Sequence, residues 1–215
     1  PIQLRDVTAE TGIHFVHYDG SSGQKYIVET VTAGLALFDY DGDGDEDIYF
    51  LNGAPLRGAK VASPPSDALY RNDGGWRFTD VTKEAGLVDT GFGLGVAAAD
   101  YDNDGFADLC VTGYEENALY RNNGYGTFSK QALPAGKSPG RLSASCAWAD
   151  IDADGNVDLY VTNYARLGPE PENYPLCTHT EQGRTMYIDC HPCLLQALPD
   201  SLYRNGGDGQ FTDVS

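Results

Sequence analysis

The sequence has little positive charge and lacks long apolar stretches. Its 215 residues include 14 Lys and Arg against 32 Asp and Glu, which gives a formal net charge of −18. Because nucleic acids and anionic membranes repel such a chain, we expect neither as a partner. No run of about 18 apolar residues is present, so the sequence predicts no membrane-spanning helix.

Recognisable catalytic motifs are also lacking. The sequence contains no Gly-rich phosphate loop, no Gly-x-Ser-x-Gly and no His-Glu-x-x-His. His14 and His17 lie in HFVHYDG, whose strand-like alternation predicts that both face solvent rather than catalyse. We therefore expect no enzyme, with neither catalytic residues nor an organic cofactor.

An acidic segment is present in three copies. The copies begin at Gly34, Gly95 and Ser145 and read GLALFDYDGDGDEDIYFLNG, GVAAADYDNDGFADLCVTGY and SCAWADIDADGNVDLYVTNY. In each copy the small first residue precedes the first Asp by five positions. Self-similarity of this kind indicates a repeat architecture.

A second module follows each acidic segment. It begins at Asp67, Asn117 and Asp200 and reads DALYRNDGGWRFTDVT, NALYRNNGYGTFSK and DSLYRNGGDGQFTDVS. In each copy a Leu-Tyr-Arg-Asn run meets a turn rich in Gly, Asn and Asp and then an aromatic-led strand, which predicts a β-hairpin. The arginine of this run recurs as Arg71, Arg121 and Arg204.

The two modules together predict a four-stranded antiparallel unit of roughly 50 residues, which is typical of a propeller blade. We therefore predict an all-β fold, a partial β-propeller over residues 1–215 with about three four-stranded blades. The small residues fit its innermost strands, where blades crowd the central axis. A β-sandwich would also have short strands and turns, but the repeat period favours the propeller. The predicted parts are the outer strand of a closing blade at 1–8, blades at 33–82, 94–130 and 144–214, and a Cys-containing insertion in the last blade at 165–199.

Each acidic segment contains the pattern Asp-x-Asp-x-Asp-Gly-x-x-Asp. Its four carboxylates repel one another unless a cation neutralises them, and oxygen ligands in a flexible loop favour Ca²⁺ over Mg²⁺. The Gly permits a sharp turn around the ion, and the residue after it is expected to offer its backbone carbonyl. We predict three Ca²⁺ ions with these ligands: Asp39, Asp41, Asp43, Asp45, Asp47, Asp100, Asp102, Asp104, Phe106, Asp108, Asp150, Asp152, Asp154, Asn156 and Asp158.

An EF-hand shares the opening of this pattern but needs Glu at its twelfth position and helices on both sides. The twelfth position is Phe50, Val111 and Val161 in the three copies. The flanking segments, such as DIYFL and DLYVT, are rich in β-branched and aromatic residues and predict strands. The acidic loops are therefore not EF-hands.

Three motifs carry a family resemblance: LRDVTAETGI from Leu4, ETVTAGLALFDYDGDGDEDIYFLNG from Glu29 and LYRNGGDGQFTDVS from Leu202. With them the chain resembles the FG-GAP/VCBS repeats of integrin α-subunit propellers. It resembles still more closely the repeat region of the ASPIC/UnbV proteins, which include the cartilage acidic protein group. The resemblance covers nearly the whole chain. It implies a secreted calcium-binding propeller, extracellular or periplasmic, often with seven blades and without an established enzymatic activity.

The resemblance also implies further blades. Neither the C-terminal segment that defines ASPIC/UnbV proteins nor the rest of a ring is in this sequence, and its first residue is Pro1 rather than Met. Three blades do not close a ring, because propellers typically have four to eight. We expect either a longer polypeptide with about four more blades past Ser215, or another copy of the chain, to supply the missing edges. The strand from Ile2 to Thr8 is then expected to complete a final blade.

The predicted insertion holds Cys177, Cys190 and Cys193 together with His179 and His191. Some proteins that the chain resembles carry a Cys pair in a similar insertion. That implies a disulfide between Cys177 and Cys190, suited to a secreted protein, and leaves Cys193 without an assigned partner. The alternative is that these Cys and His residues bind Zn²⁺.

Three kinds of function remain open from the sequence. The first is binding or adhesion, in which a protein or glycan docks on one propeller face. The second is assembly, in which the blades join other blades. The third is a hydrolase or lyase with its site on the Cys/His insertion, which needs an acid or base outside the acidic loops. Exposed aromatics favour a contact surface, and the candidates are Tyr18, Tyr26, Tyr174 and Tyr187.

Two cysteines lie outside the insertion. Cys110 and Cys146 belong to strand-like runs beside the acidic loops. We expect both to be buried free thiols that behave as small hydrophobic residues.

Overall fold

The structure is a computed structural model that describes most of the chain. It describes residues 3, 5–23, 26–31, 34–56, 58–134, 137–167, 177–188 and 195–215, with the backbone alone for 137, 177, 187 and 188. The predicted disulfide between Cys177 and Cys190 and most of the alternative zinc ligands lie outside the described residues.

The first blade is a four-stranded antiparallel sheet. Its strands in spatial order are β1 (Leu35–Phe38), β2 (Asp47–Phe50), β3 (Ala68–Asn72) and β4 (Phe78–Asp80). Along β2, buried residues alternate with half-buried ones. Because successive side chains of a strand point to opposite faces, this pattern fits a sheet that is covered on both sides.

The second blade repeats this order. It consists of β5 (Phe92–Ala99), β6 (Asp108–Glu116), β7 (Ala118–Asn122) and β8 (Phe128–Gln131), and each strand pairs antiparallel with the next. The acidic loop joins its first two strands and the predicted hairpin forms its last two.

The third blade has the same four positions and an additional hairpin. The blade strands are β9 (Lys137–Ala149), β10 (Asp158–Arg166), β14 (Ser201–Asn205) and β15 (Phe211–Asp213). Between β10 and β14 lie β11 (Cys177–Glu181), β12 (Arg184–Ile188) and β13 (Gln196–Ala197). Strands β11 and β12 pair with each other, whereas β13 pairs with the end of β10.

The second and third blades are joined into one sheet. The end of β6 pairs with the start of β9, where Tyr114 lies opposite Leu142 and Glu116 opposite Lys137. At 13 residues β9 is long enough to border both blades. This continuity was not expected from the repeat, which predicts separate blades.

Helical structure is sparse in the described part of the chain. It consists of α1 (Thr8–Thr11) and a 3₁₀ turn at Ile27–Thr30, and neither is long and apolar enough to cross a membrane. The outer strand predicted at 1–8 falls partly on residues that are not described. Its last residue, Thr8, begins α1 instead of ending a strand.

Strand pairing and blade order confirm an all-β propeller fold. Strand β5 lies against both β1 and β9, so the first strands of the three blades are neighbours. A Cβ atom added to Gly34 would lie 2.6 Å from the carbonyl oxygen of Leu94, and one added to Gly95 would lie 2.8 Å from that of Ala144. These close approaches confirm that small residues are needed on the crowded inner strands.

Apolar side chains fill the spaces between the blades. One buried cluster includes Leu69 of the first blade and Leu109 of the second. Another includes Cys110 of the second blade and Leu159 of the third. Each blade therefore depends on its neighbour to cover an apolar face.

The two strand cysteines are buried free thiols, as predicted. The Cys146 thiol donates a hydrogen bond to the Cys110 carbonyl oxygen at 3.3 Å. Contact with the Cys146 side chain, together with burial, raises the pKa of the Cys110 thiol well above its usual value.

The predicted set of exposed aromatics is wrong for Tyr26. Its side chain is only 7% exposed, because it packs in a cluster with Leu56 and Phe92. Tyr18 is half-buried, and the side chains of Tyr174 and Tyr187 lie outside the described residues.

His14 and His17 are both exposed, as predicted, but their segment is not a strand. Its backbone is nevertheless tied to the first blade. The His14 amide donates to the Tyr70 hydroxyl at 3.2 Å, and the Tyr18 amide donates to the Asn52 side chain at 2.7 Å.

Candidate metal centres

Three acidic loops connect the first two strands of each blade: loop 1 (39–47), loop 2 (100–108) and loop 3 (150–158). The first Asp organises each turn by accepting backbone N–H groups. In loop 1, Asp39 accepts from Gly42 at 2.8 Å and from Gly44 at 2.9 Å. Gly44 has a φ of +90°, in the left-handed region that favours glycine. Asp100 and Asp150 act in the same way in the other loops.

The last Asp of each loop is buried and ties the loop to the third strand of its blade. Asp108 accepts the Tyr101 amide at 3.0 Å and the Asn122 amide at 2.7 Å. Asp47 and Asp158 make the equivalent bonds. Burial raises the pKa of Asp47 to about 6 and that of Asp108 to about 7. These carboxylates are held in place by the fold and lack solvent to stabilise their charge.

The loops bring carboxylate oxygens together. In each loop, one oxygen from each of three Asp residues lies within 4.8 Å of the others. The three groups are Asp39, Asp41 and Asp43; Asp100, Asp102 and Asp108; and Asp150, Asp152 and Asp158. The remaining predicted carboxylate ligands are outside these groups, namely Asp47, Asp104 and Asp154. The expected carbonyl ligands at Asp45, Phe106 and Asn156 stay predictions.

The geometry fits a bound cation. The Oδ1 atoms of Asp41 and Asp102 are buried without a hydrogen-bond partner. A buried carboxylate oxygen without a donor is costly unless a cation compensates it. The candidate ligand atoms are all oxygens, which suits a hard cation such as Ca²⁺.

The asparagine of the Leu-Tyr-Arg-Asn run links neighbouring blades, a role that sequence reasoning missed. The Asn122 side-chain amide donates to the carbonyl oxygen of Tyr40, in loop 1, at 2.8 Å and to that of Ala107, in loop 2, at 3.2 Å. Asn205 repeats this in the third blade, donating to Tyr101 in loop 2 at 2.7 Å. Loops 1 and 2 are thereby tied to the blades that follow them. The signal available in the sequence was the recurrence of Asn itself.

A second missed feature lies at the opposite end of the blades, where an Asp or Asn begins the third strand. Asp67 accepts the Tyr49 hydroxyl at 2.9 Å and the Asn52 amide at 2.6 Å. Asn117 and Asp200 likewise accept a backbone amide from the second strand of their blades, from Gly113 and Asn163. The second blade has Cys110 in place of the tyrosine, and there the acceptor is Asn117 rather than Asp.

Asp67 is expected to make the stability of the protein depend on pH. It is 2% exposed, and burial raises its pKa to about 8. Since the unfolded value is about 3.9, the folded state binds the proton more tightly. The stability from this group is therefore complete below about pH 4 and is lost as pH rises through about 8.

Asp67→Asn is the matched change, because Asn117 already occupies this position in the second blade. We expect the difference in free energy of unfolding, variant minus unaltered protein, to become more favourable to the variant on going from pH 5 to pH 8.5. Over that span the unaltered protein loses the stability that protonated Asp67 provides, whereas Asn carries no proton to lose. Urea unfolding at both pH values measures this difference. Glu84→Gln, at an exposed site, is the control. An Asp67→Asn difference that does not change with pH would show that Asp67 does not titrate in this range.

The alternative enzymatic site on the Cys/His insertion lies mostly outside the described residues. His179, on β11, is described and is exposed.

Comparison with known proteins gives a family and likenesses among solved structures. The model of the FG-GAP-like repeat matches residues 39–111 and 100–161. No curated protein sequence matches the chain. One similar solved structure is a lectin from Agrocybe aegerita, described for its specific recognition of non-reducing terminal N-acetylglucosamine. It is 17% identical with a TM-score of 0.42, and the match covers 84% of this chain but only 36% of the lectin. A likeness at that level carries no conclusion about function.

The two family matches coincide with the structure. Each spans one acidic loop, the hairpin after it, the next acidic loop and the start of the strand that follows that loop. Together they cover residues 39–161, which is more than half of the 215 residues. The chain belongs to the FG-GAP-like repeat family.

Proposed function

We propose that this chain is an extracellular calcium-binding propeller segment that serves as a binding module. The observation that carries the proposal is the carboxylate grouping, present in all three blades with oxygens within 4.8 Å. Three Ca²⁺ ions would change the formal charge from −18 to −12. In this proposal, part of the excess of acidic residues serves to bind calcium at three places in the fold.

Calcium at these points would stabilise contacts between blades as well as single loops. Loop 1 is bonded to the second blade through Asn122, and loop 2 to the third blade through Asn205. An ion that orders a loop therefore also orders the carbonyl oxygen that the next blade binds. This arrangement supports a role in holding a ring of blades rigid.

The binding surface that we propose is the face that carries the loops. The hairpin tips between the last two strands lie beside the loops: a Cβ atom on Gly124 would lie 2.7 Å from the Phe106 ring. Two of these tips carry exposed aromatic rings, Trp76 at 69% and Tyr125 at 90%. Exposed rings beside acidic loops suit contact with a protein or a glycan.

The finer family assignment is also part of the proposal. The FTDVT-like strands and the Leu-Tyr-Arg-Asn hairpins support a place among the ASPIC/UnbV proteins. That place would make the chain secreted, either extracellular or periplasmic, and would add the blades needed to close a ring. Adhesion and assembly are both consistent with such a module.

Equilibrium dialysis against radioactive Ca²⁺ tests the calcium function. The protein is expected to bind three ions with dissociation constants of about 10⁻⁴ to 10⁻³ M or tighter. Asp102→Asn should reduce the number to two, because it removes the negative charge of the loop 2 carboxylate that carries the partnerless oxygen and replaces one of its two oxygens with an NH2 group. Asp208→Asn, in an exposed hairpin turn outside the loops, should still bind three. Binding of no ion, or equal loss in both variants, would contradict the proposal.

A further inference from the structure

The arginine of the Leu-Tyr-Arg-Asn run makes different contacts in the three blades. In the second blade, Arg121 Nε lies 2.5 Å from Asp102 Oδ2 and Nη2 lies 2.9 Å from Asp104 Oδ2. In the third blade, Arg204 contacts the equivalent carboxylates of Asp152 and Asp154, at 2.8 and 3.7 Å. These two arginines are thus cations already in contact with the acidic loops.

In the first blade the arginine points to another partner. Arg71 pairs with Asp73, at 2.8 Å from both Nε and Nη2 to Oδ1. Asp73 also accepts the Thr79 hydroxyl at 2.5 Å, which fixes its carboxylate. The residues at the position of Asp73 in the other blades are Asn123 and Gly206, which carry no charge. This one position accounts for the different direction of the arginine.

The consequence appears at the fifth residue of each loop. Asp43 Oδ1 accepts the Asp45 amide at 2.9 Å, and Asp43 belongs to the close carboxylate group of loop 1. Asp104 Oδ1 accepts the Phe106 amide at 3.1 Å, but its Oδ2 is bound by Arg121. Both oxygens of Asp104 are therefore engaged, and it is outside the group of loop 2.

We propose that Asp73 makes loop 1 the tightest of the three calcium sites by holding the Arg71 guanidinium in an ion pair outside the loop carboxylates. In loops 2 and 3 the guanidinium groups of Arg121 and Arg204 compete with the ion for the fifth-position carboxylates. This inference rests on the proposed calcium function, and it adds an order of filling. A planar guanidinium matches two carboxylate oxygens well, so the competition has a geometric basis.

An arginine beside a calcium site can either weaken or strengthen calcium binding, so the direction in which its removal changes the affinity decides between the two. An arginine that merely oriented the loop carboxylates would strengthen calcium binding, and its loss would weaken it. Competition predicts that its loss strengthens binding. The Arg121 side chain is 41% exposed, so we expect an effect typical of surface ion pairs, roughly 1.5- to fivefold in affinity.

Calcium titration followed by two-dimensional NMR resolves the three sites separately. The amides of Gly44, Gly105 and Gly155 each donate to the first Asp of their own loop and serve as reporters. In the unaltered protein, Gly44 should respond at the lowest calcium concentration. Arg121→Gln should shift the Gly105 response to lower calcium and leave the Gly44 response in place.

The reciprocal change is Asp73→Asn, which gives the first blade the residue type of the second. It should shift the Gly44 response to calcium concentrations roughly 1.5- to fivefold higher. Adding Arg71→Gln to Asp73→Asn should restore the original response, because the competing cation is gone. A loss that persists in the double variant would attribute the effect to the charge of Asp73 itself and overturn the inference.

The remaining outcomes separate this inference from the proposed function. If no reporter amide responds to calcium, the calcium function fails and the inference fails with it. If all three respond at one concentration, or if Arg121→Gln weakens the Gly105 response, the order of filling alone is overturned. The dispersion of the NMR spectrum confirms in each variant that the protein is folded.

Discussion

Replacing Asn122 with Ala is expected to lower the free energy of unfolding by about 3 kcal/mol or more. The side chain is fully buried and makes three hydrogen bonds, to the carbonyl oxygens of Tyr40 and Ala107 and from the amide of Gly124. Alanine leaves these backbone groups without a partner, and each buried group left unpaired lowers the free energy of unfolding by about 1–3 kcal/mol. Because the Tyr40 bond crosses to loop 1, the contact between the first two blades is lost as well.

Asn72→Ala is the matched control. Asn72 has the same place in the first blade, but among the described residues its amide donates within its own blade, to the Glu46 carbonyl oxygen at 3.1 Å. It is half-buried, so water can reach the groups that it leaves. We expect a loss of about 1 kcal/mol, measured for both variants by urea unfolding at saturating calcium. Equal losses in the two variants would mean that the bond between blades adds no stability.

The acidic loops and the blade strands could be predicted from the sequence because their determinants are local. In loop 1 the carboxylates and the glycine turn lie within residues 39–47, and the first Asp bonds to amides three to five residues later. The alternation of the strands and the Gly-rich hairpins are equally local. Because these segments recur three times in the same order, the sequence also indicated which strands, loop and hairpin form one blade.

Contacts between distant residues could not be predicted in the same way. Asn122 and Tyr40 are 82 residues apart, and no pattern in either segment points to the other. Tyr26, which precedes the first blade, is buried against Phe92 of the second blade. The pairing of β6 with β9 likewise depends on how two blades sit side by side. In each case the partner is chosen by packing, which a single sequence does not reveal.

The differing arginine contacts were also beyond the sequence alone. Arg71, Arg121 and Arg204 align, and their equal spacing predicts equal roles. The residue two positions after the arginine differs between the blades, being Asp73, Asn123 and Gly206. Its effect on the arginine becomes visible only from the ion pairs in the structure.

Calcium removal is expected to have the largest effect on the whole protein. An ion that binds only the folded state adds about 2.7 kcal/mol per site at a concentration 100 times its dissociation constant. Three sites would add roughly 8 kcal/mol. For a chain of this size that corresponds to a change of about 15–30 °C in the midpoint of thermal unfolding.

The physical reason is the repulsion within each loop. Without an ion, Asp41 and Asp102 keep buried oxygens that have no donor, and the remaining carboxylates lie close to them. Arg121 and Arg204 offset part of this repulsion in loops 2 and 3. Among the described residues no arginine forms an ion pair with the loop 1 carboxylates, since Arg71 is paired with Asp73, so loop 1 should be the first part of the fold to loosen.

Thermal unfolding in excess EGTA, followed by restoration of calcium, is the measurement that tests this account most directly. The account predicts a midpoint that falls by about 15–30 °C in EGTA and returns with Ca²⁺. Mg²⁺ at the same concentration should restore little, because it demands a stricter octahedral geometry and gives up its water reluctantly. A midpoint that is the same with EGTA and with calcium would contradict the claim that these loops are calcium sites on which the fold depends.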